Sequence, residues 1–208
     1  MFELLALLTN KKYWRLHSLF IRFFLKRRGI KIGKNFYIEG VPKLKIHGKA
    51  ENIMIGDNVS ILGDVDIRNR ENGKIIFQNN ITIERDCRFV SAREGKIVIG
   101  EETTITAFAI INGGGDVIIG KKCIIGPRAS INANEHRSAR RAFIKDQGFI
   151  HQSVYLEDDC WLGANVAINK GVRLARGSII GANAVVTKDT EPFSVNAGIP
   201  ATKIGMRT

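Results

Sequence analysis

The chain is poor in cysteine, and its cysteines do not form the patterns typical of a metal site or a disulfide framework. Cys87, Cys123 and Cys160 are the 3 cysteines among 208 residues, and no CxxC pair or cysteine-histidine cluster is present. An odd number of thiols argues against a disulfide scaffold and favours a reducing cytoplasm. We therefore expect three small core residues in a cytoplasmic protein.

Long apolar runs are also lacking. No run approaches the roughly 18 residues that cross a bilayer, and no small-residue cleavage site follows an apolar stretch, so we expect neither a transmembrane helix nor a signal peptide. Positive charge, in contrast, is in excess, with 32 Lys and Arg against 20 Asp and Glu, a net charge of +12. Because no nucleic-acid-binding motif accompanies it, this charge predicts an anionic membrane, phosphate or glycan partner and no nucleic acid.

A step of six residues dominates what is present. A period of six fits neither an amphipathic helix nor an alternating strand. It predicts an all-β solenoid in which three six-residue sides make one coil, and coils stack on one another. The apolar steps are Leu156, Leu162, Ile168, Leu174, Ile180 and Val186, with Cys160, Val166, Val172, Ser178 and Ala184 at the fifth places.

A longer repeat is superimposed on this step. The equivalent positions Ile55, Phe77, Ile99 and Ile119 are 22, 22 and 20 residues apart, whereas an ideal coil needs 18, so we expect small polar bulges at one corner of each coil. Leu156 follows 37 residues after Ile119, which predicts one coil plus a loop extruded near 137–153. We expect the glycines at the sharp corners, in conformations of positive φ.

The first 28 residues have a different pattern and predict a basic amphipathic helix, separate from a β-helix domain over 29–208. Two interpretations stay open, and both can hold. The helix lies on an anionic membrane surface, or it caps the open end of the solenoid or packs in an oligomer. The pattern consists of Leu4, Leu5, Leu8, Trp14, Leu19, Phe20 and Phe23 at helical spacing, with Lys and Arg between them.

Candidate chemistry concentrates where the regular pattern stops. His136 stands at the end of a coil and the start of the loop, where a histidine can be held firmly and stay accessible, as a general base must be. A solvated loop histidine is the alternative. Asn134 and Glu135 adjoin it, and the loop that follows is basic. We interpret His17, His47 and His151 as structural or exposed.

The segment 154–205 closely resembles hexapeptide-repeat acetyltransferases, in particular the galactoside and maltose O-acetyltransferases and the O-acetyltransferases of bacterial surface polysaccharides. The resemblance extends from about Ile55 to Ile204. It implies a left-handed parallel β-helix, a homotrimer with active sites between subunits, and acetyl-CoA bound along the C-terminal coils. The motifs that carry it are Trp-Leu-Gly (161–163), Ile-Ile-Gly-Ala (179–182), Val-Thr-Lys-Asp (186–189) and Ala-Gly-Ile-Pro-Ala (197–201).

The same resemblance implies roles for individual residues. His136 becomes the general base that deprotonates an acceptor hydroxyl as it attacks the thioester directly. A backbone N–H of Gly163-Ala164 stabilises the oxyanion, and Trp161 forms a wall of the site beside Asn134, Glu135 and Arg137. The implied cofactor-binding residues are Gly163, Ala164, Gly181, Ala182, Thr187, Lys188 and Lys203.

One departure from the family affects the cofactor. Relatives often carry a basic residue directly after Pro-Ala, whereas this chain has Thr202 there and Lys203 next. Whether Lys203 or Arg207 contacts the phosphates instead stays open. No metal is expected, because the zinc carbonic anhydrases that share the fold need three converging histidines, and the histidines here are not placed to supply them.

The acceptor is the least determined part. The basic loop favours a phosphate- or carboxylate-bearing acceptor, and the preferred hypothesis is O-acetylation of a sugar in a surface polysaccharide or its membrane-bound precursor. N-acetylation of a nucleotide-linked amino sugar is the alternative, although no nucleotide-binding Gly-rich run opens the chain. Serine acetylation and a non-catalytic scaffold that would not bind CoA are more distant alternatives.

Overall fold

The computed structural model describes Thr9 and residues 12–208. Among these residues, one α-helix, α1 (Lys12–Arg27), is followed by a parallel β-helix whose coils have three flat sides. The predicted apolar residues Leu4, Leu5 and Leu8 lie outside the described residues. None of the described helices is long and apolar enough to cross a membrane.

Each side of the β-helix is one parallel sheet built from every coil in turn, and the strands are short because each side is only six residues long. The first side contains β1 (Lys31–Ile32), β4 (Ile53–Ile55), β7 (Lys74–Phe77), β10 (Lys96–Ile99), β13 (Val117–Ile119), β18 (Val154–Leu156) and β21 (Arg173–Leu174). The second side contains β2 (Tyr37–Ile38), β5 (Ser60–Leu62), β8 (Thr82–Glu84), β11 (Thr104–Ile105), β14 (Ile124–Ile125), β19 (Trp161–Leu162), β22 (Ile179–Ile180), β24 (Ser194–Gly198) and the antiparallel β25 (Ala201–Met206).

The third side completes the coil. It contains β3 (Pro42–Ile46), β6 (Val65–Asn69), β9 (Cys87–Ser91), β12 (Ile110–Asn112), β15 (Ser130–Asn132), β20 (Ala167–Ile168) and β23 (Val185–Val186). A hairpin of β16 (Asn134–His136) and β17 (Phe149–His151) projects between β15 and β18. Two 3₁₀ turns, Ala50–Asn52 and Ile144–Asp146, complete the elements.

The core consists of columns of like residues that run along the axis. The register pairs Ile55 with Phe77, Phe77 with Ile99, Ile99 with Ile119 and Ile119 with Leu156, as the longer repeat predicts. All five are buried. Because every coil adds apolar area only to its neighbours, stability comes from stacking rather than from one central core.

The three cysteines belong to these columns. Cys87, Cys123 and Cys160 are buried and free, as the spacing predicts. Burial raises the pKa of the Cys87 thiol to about 11, so it stays protonated and behaves as a small apolar residue.

The glycines differ from expectation. Among the described residues, positive φ occurs at six glycines. It also occurs at Asn35, Asn58 and Asn80, which occupy the same corner in three successive coils. The amides of these asparagines form a ladder, with Asn35 Nδ2 donating to Asn58 Oδ1 (2.9 Å) and Asn58 Nδ2 to Asn80 Oδ1 (2.8 Å). Asparagine tolerates this conformation and gains a hydrogen bond there. The expectation that glycine supplies the corners is therefore wrong at most positions.

Close stacking explains many of the glycines instead. A Cβ on Gly120 would lie 2.7 Å from the backbone nitrogen of Asp158 in the next coil. Any larger residue would separate the coils and break the hydrogen bond from Gly120 N–H to Leu156 O (2.8 Å).

Insertions collect where the third side passes to the first side of the next coil, which we name the hairpin corner. The polar segments 70–73 and 92–95, the glycines 113–115 and the hairpin all lie there. The other two corners keep the short spacing, so the sheets stack in register past every insertion.

Candidate active site

The hairpin has a regular base and an ordered tip, where the sequence predicted a loop. Strands β16 and β17 are antiparallel, and their register runs from the pair Asn134 and His151 to the pair His136 and Phe149. The next hydrogen bond is donated by Arg137 N–H to Gly148 O (3.0 Å). Within the tip, Gln147 Nε2 donates to Ala139 O and Ala142 O, both at 2.8 Å. The exposed cations of the tip are Arg137, Arg140, Arg141 and Lys145.

His136 is exposed on one face of this hairpin. Its ring lies 4.2 Å from the ring of Phe149, centroid to centroid, at an interplanar angle of 39°. Neither ring nitrogen has a hydrogen-bond partner in the part of the chain that the structure describes. The aromatic contact therefore orients the imidazole and leaves both nitrogens accessible to a substrate, as a general base requires.

Glu135 points to the other face because side chains alternate along a strand. Its carboxylate forms an ion pair with the ammonium group of Lys170, whose side chain is only 19% exposed. Lys170 follows β20 in the next coil, so the pair ties the hairpin to the solenoid. Glu135 thus holds the strand that carries His136 and does not contact the imidazole itself.

His151 occupies the base of the hairpin. Its Nε2 lies 3.3 Å from Arg93 Nη1, and its Nδ1 is buried without a hydrogen-bond partner. Gly114 makes room for it, because a Cβ there would lie 2.6 Å from Nδ1 and 3.2 Å from Asn134 Nδ2. Burial, together with Arg93 and Arg137, lowers the pKa of His151. The neutral ring accepts a hydrogen bond from Arg93.

The hairpin corner also aligns predicted cofactor residues with His136. The register matches Ile131 with Ile168 and Ile168 with Val186. Lys188, two residues after Val186, therefore leaves the solenoid at the same corner as the hairpin, two coils away, or about 10 Å along the axis. Thr187 beside it is exposed.

Trp161 lies elsewhere in the coil. It is on β19, on the second side, and 50% exposed. The hairpin corner lies opposite this side within the same chain, and the structure shows no contact between Trp161 and His136. The predicted base and the predicted wall are therefore not brought together within one chain.

The predicted small residues form another group, at the corner between the second and third sides. Gly163 N–H donates to Ile180 O and Gly181 N–H to Asn196 O, both at 2.8 Å. A Cβ on Gly163 would lie 2.7 Å from Ala182 N, so its small size serves coil stacking. The N–H of Ala164 has no acceptor among the described residues. Of the predicted Gly163-Ala164 pair, only Ala164 has a free donor for an oxyanion.

Basic residues near the C-terminus differ in how well they are neutralised. A cavity of about 230 Å³ is lined in part by Lys188, Thr202 and Lys203. Lys203 Nζ lies 2.6 Å from Glu191 Oε2, and Arg207 Nη1 lies 2.6 Å from Asp159 Oδ2. Lys188 forms no ion pair with the described residues, so it is the best placed of the three to contact a phosphate.

No group of three or more potential metal ligands occurs within the described ranges.

Comparison with known sequences identifies the repeat. The protein family described as "Bacterial transferase hexapeptide (six repeats)" matches residues 153–188 of this chain. The chain is 33% identical to the dTDP-4-amino-4,6-dideoxy-D-glucose acyltransferase of Escherichia coli, over 76% of this chain and 81% of that enzyme. It is 34% identical to the galactoside O-acetyltransferase of Lactococcus lactis over 41% of each chain. The chain thus spans only about two fifths of some curated relatives that it matches.

Solved structures share the coil. An acetyltransferase of Vibrio cholerae, complexed with acetyl coenzyme A, has 31% identity and a TM-score of 0.51 over 54% of this chain and 61% of that one. The polySia-specific acetyltransferase NeuO has 26% identity and a TM-score of 0.50 over 85% of this chain and 79% of that one. The predicted left-handed β-helix is confirmed, and the chain belongs to the hexapeptide-repeat family of acyltransferases.

Proposed function

We propose that the protein is an acetyl-CoA-dependent O-acetyltransferase that modifies a sugar hydroxyl of a bacterial surface polysaccharide or its precursor. The observation that carries this proposal is the hairpin corner, where the hairpin with the accessible imidazole and the segment with the unpaired lysine leave the solenoid two coils apart, about 10 Å along the axis. Acetyl-CoA bound along that edge would have its phosphates at Lys188 and its thioester toward His136.

The proposed reaction needs no covalent enzyme intermediate. His136 takes the proton of the acceptor hydroxyl as that oxygen attacks the thioester carbonyl, and a C–O bond forms. The N–H of Ala164 donates to the oxyanion. The C–S bond then breaks, and the proton passes from the imidazolium to the CoA thiolate, which leaves as the thiol.

We also propose a homotrimer with its sites between subunits. Its support is the separation of the predicted site residues within one chain. His136 lies at the hairpin corner, whereas Trp161 lies on the second side and Ala164 directly beside it. When the hairpin corner of one subunit meets the second side of another, the three residues form one site. Phe143 at the hairpin tip is 83% exposed, which suits a residue that packs on a neighbouring subunit.

A second candidate is N-acylation of a nucleotide-linked amino sugar. The match to the aminosugar acyltransferase favours it, because that match covers 76% of the chain. The two products differ chemically, since alkaline hydroxylamine cleaves an acetyl ester and leaves an acetamide intact. Residues 29–208 carry the activity in either case, and we place it in the cytoplasm because free thiols and acetyl-CoA both belong there.

The test is release of thiol from acetyl-CoA with a panel of sugars, nucleotide sugars and acidic glycans. His136→Ala should lower turnover about 10²–10⁴-fold with the best acceptor. CoA binding and the melting temperature should not change, because His136 is exposed. Full turnover in the variant would refute the mechanism. Failure of the wild-type protein to bind acetyl-CoA would refute the function and favour a scaffold.

A further inference from the structure

One side of α1 is fixed to the first coil of the β-helix. His17 Nε2 lies 3.0 Å from Gly40 O, and the Ser18 hydroxyl lies 2.8 Å from Ile38 N and 3.2 Å from Ile38 O. Leu25 is buried in the same core cluster as the coils. The helix therefore covers the edges of β1 and β2, as the capping interpretation predicts, and its rotation about its own axis is set.

The opposite side of α1 is apolar and uncovered. Leu16, Leu19, Phe20 and Phe23 follow helical spacing and so form one stripe, with Phe24 beside it. These five side chains are between 54% and 60% exposed. We name them the apolar stripe. A soluble domain rarely leaves five large apolar side chains together in water, and no described residue outside α1 packs over them.

Positive charge accompanies the apolar stripe. Arg15, Arg22 and Lys26 lie along one edge of it, and Arg27 and Arg28 lie at its end. The Arg27 guanidinium is 5.7 Å from the Phe23 ring. No acidic residue occurs between Lys12 and Arg27. A second copy of the helix would bring two sets of cations together with no carboxylate to offset them, whereas lipid phosphates neutralise them.

We propose that α1 binds the surface of a bilayer that contains anionic phospholipid. The helix lies in the plane of the interface, with the apolar stripe among the acyl chains and the flanking cations at the phosphates. The hairpin leaves the fifth coil, four spacings or about 19 Å from the first. If the proposed function is right, this distance places the active site above the membrane, within reach of a lipid-linked glycan.

Vesicle flotation of the full chain tests this proposal independently of any acetyltransferase activity. The protein should float with vesicles of phosphatidylcholine and phosphatidylglycerol, and much less with phosphatidylcholine alone. Phe20→Ser/Phe23→Ser should reduce the partition coefficient at least about tenfold, since each buried apolar side chain contributes to interfacial binding. Arg15→Gln/Lys26→Gln should reduce it about fivefold per charge, an effect that salt removes.

The matched control is Ile204→Ser/Met206→Ser, which removes an apolar pair of similar exposure from β25, at the end of the β-helix opposite to α1. It should bind vesicles like the wild type. Equal loss in the control, or no flotation of the wild type with anionic vesicles, would overturn the proposal. So would a fall in the native mass of Phe20→Ser/Phe23→Ser without any change in flotation, because the apolar stripe would then join copies of the chain.

Discussion

The hairpin corner and the flat sides of the coil obey different rules. On the sides, each strand between the first and last coils is held by its partners above and below, and its inward residues are buried. At the hairpin corner, segments of different length leave the coil and return without changing the register of the next strand. The comparison indicates that the sides determine the fold, while this one corner tolerates insertions, among them the hairpin that carries the proposed base His136.

The largest effect should come from a side. Ile180 is 1% exposed in the core, and its neighbour Ile179 on the same strand faces outward. Ile180→Ala should lower the free energy of unfolding by about 2–5 kcal/mol, because it removes apolar contacts and leaves a cavity. Ile179→Ala is the control and should cost much less. Urea unfolding measures both, and similar losses would contradict the conclusion that the inward residues of the sides determine the fold.

A smaller effect, on activity rather than on stability, should come from the hairpin corner. Lys170→Met removes the partner of Glu135 and loosens the strand that carries His136. We expect kcat to fall about tenfold, since small displacements of a base are costly, while CoA binding is retained. Exchanging the charges in Lys170→Glu/Glu135→Lys should restore part of kcat. Lys121→Met, which removes an exposed pair with Glu101, should have no effect.

The smallest expected effect is a pH dependence of stability. Because the pKa of His151 is lowered in the folded protein, the unfolded chain takes up the proton first as pH falls below about 6.5, and the free energy of unfolding decreases. Urea midpoints at about pH 7.5 and about pH 5.5 should show this decrease in the wild type and a smaller one in His151→Gln.

Arg93 provides the second arm of that experiment. It contributes to the lowered pKa of His151, so Arg93→Gln should also make the decrease smaller. If both variants keep the full wild-type dependence of stability on pH, another titratable group is responsible for it. The base of the hairpin then does not disfavour the protonated form of His151.

The sequence allowed the coil to be predicted almost strand by strand. The register of Ile55, Phe77, Ile99, Ile119 and Leu156 follows from their spacing, because an inward column admits only apolar residues of similar size. The same periodicity did not predict correctly what the glycines do. Nothing in the linear pattern distinguishes a glycine needed for positive φ from one such as Gly120, whose missing Cβ lets the next coil approach.

For the candidate site, the sequence indicated His136 and Lys188 through local motifs, and it indicated that an insertion precedes Leu156. Only the tertiary structure decided that they align at one corner. It also decided that Glu135 pairs with Lys170 and that His151 contacts Arg93. Such contacts join residues 35 or 58 positions apart. Periodicity fixes which side of a coil a residue faces, but only the stacked coils decide which polar groups meet across an insertion.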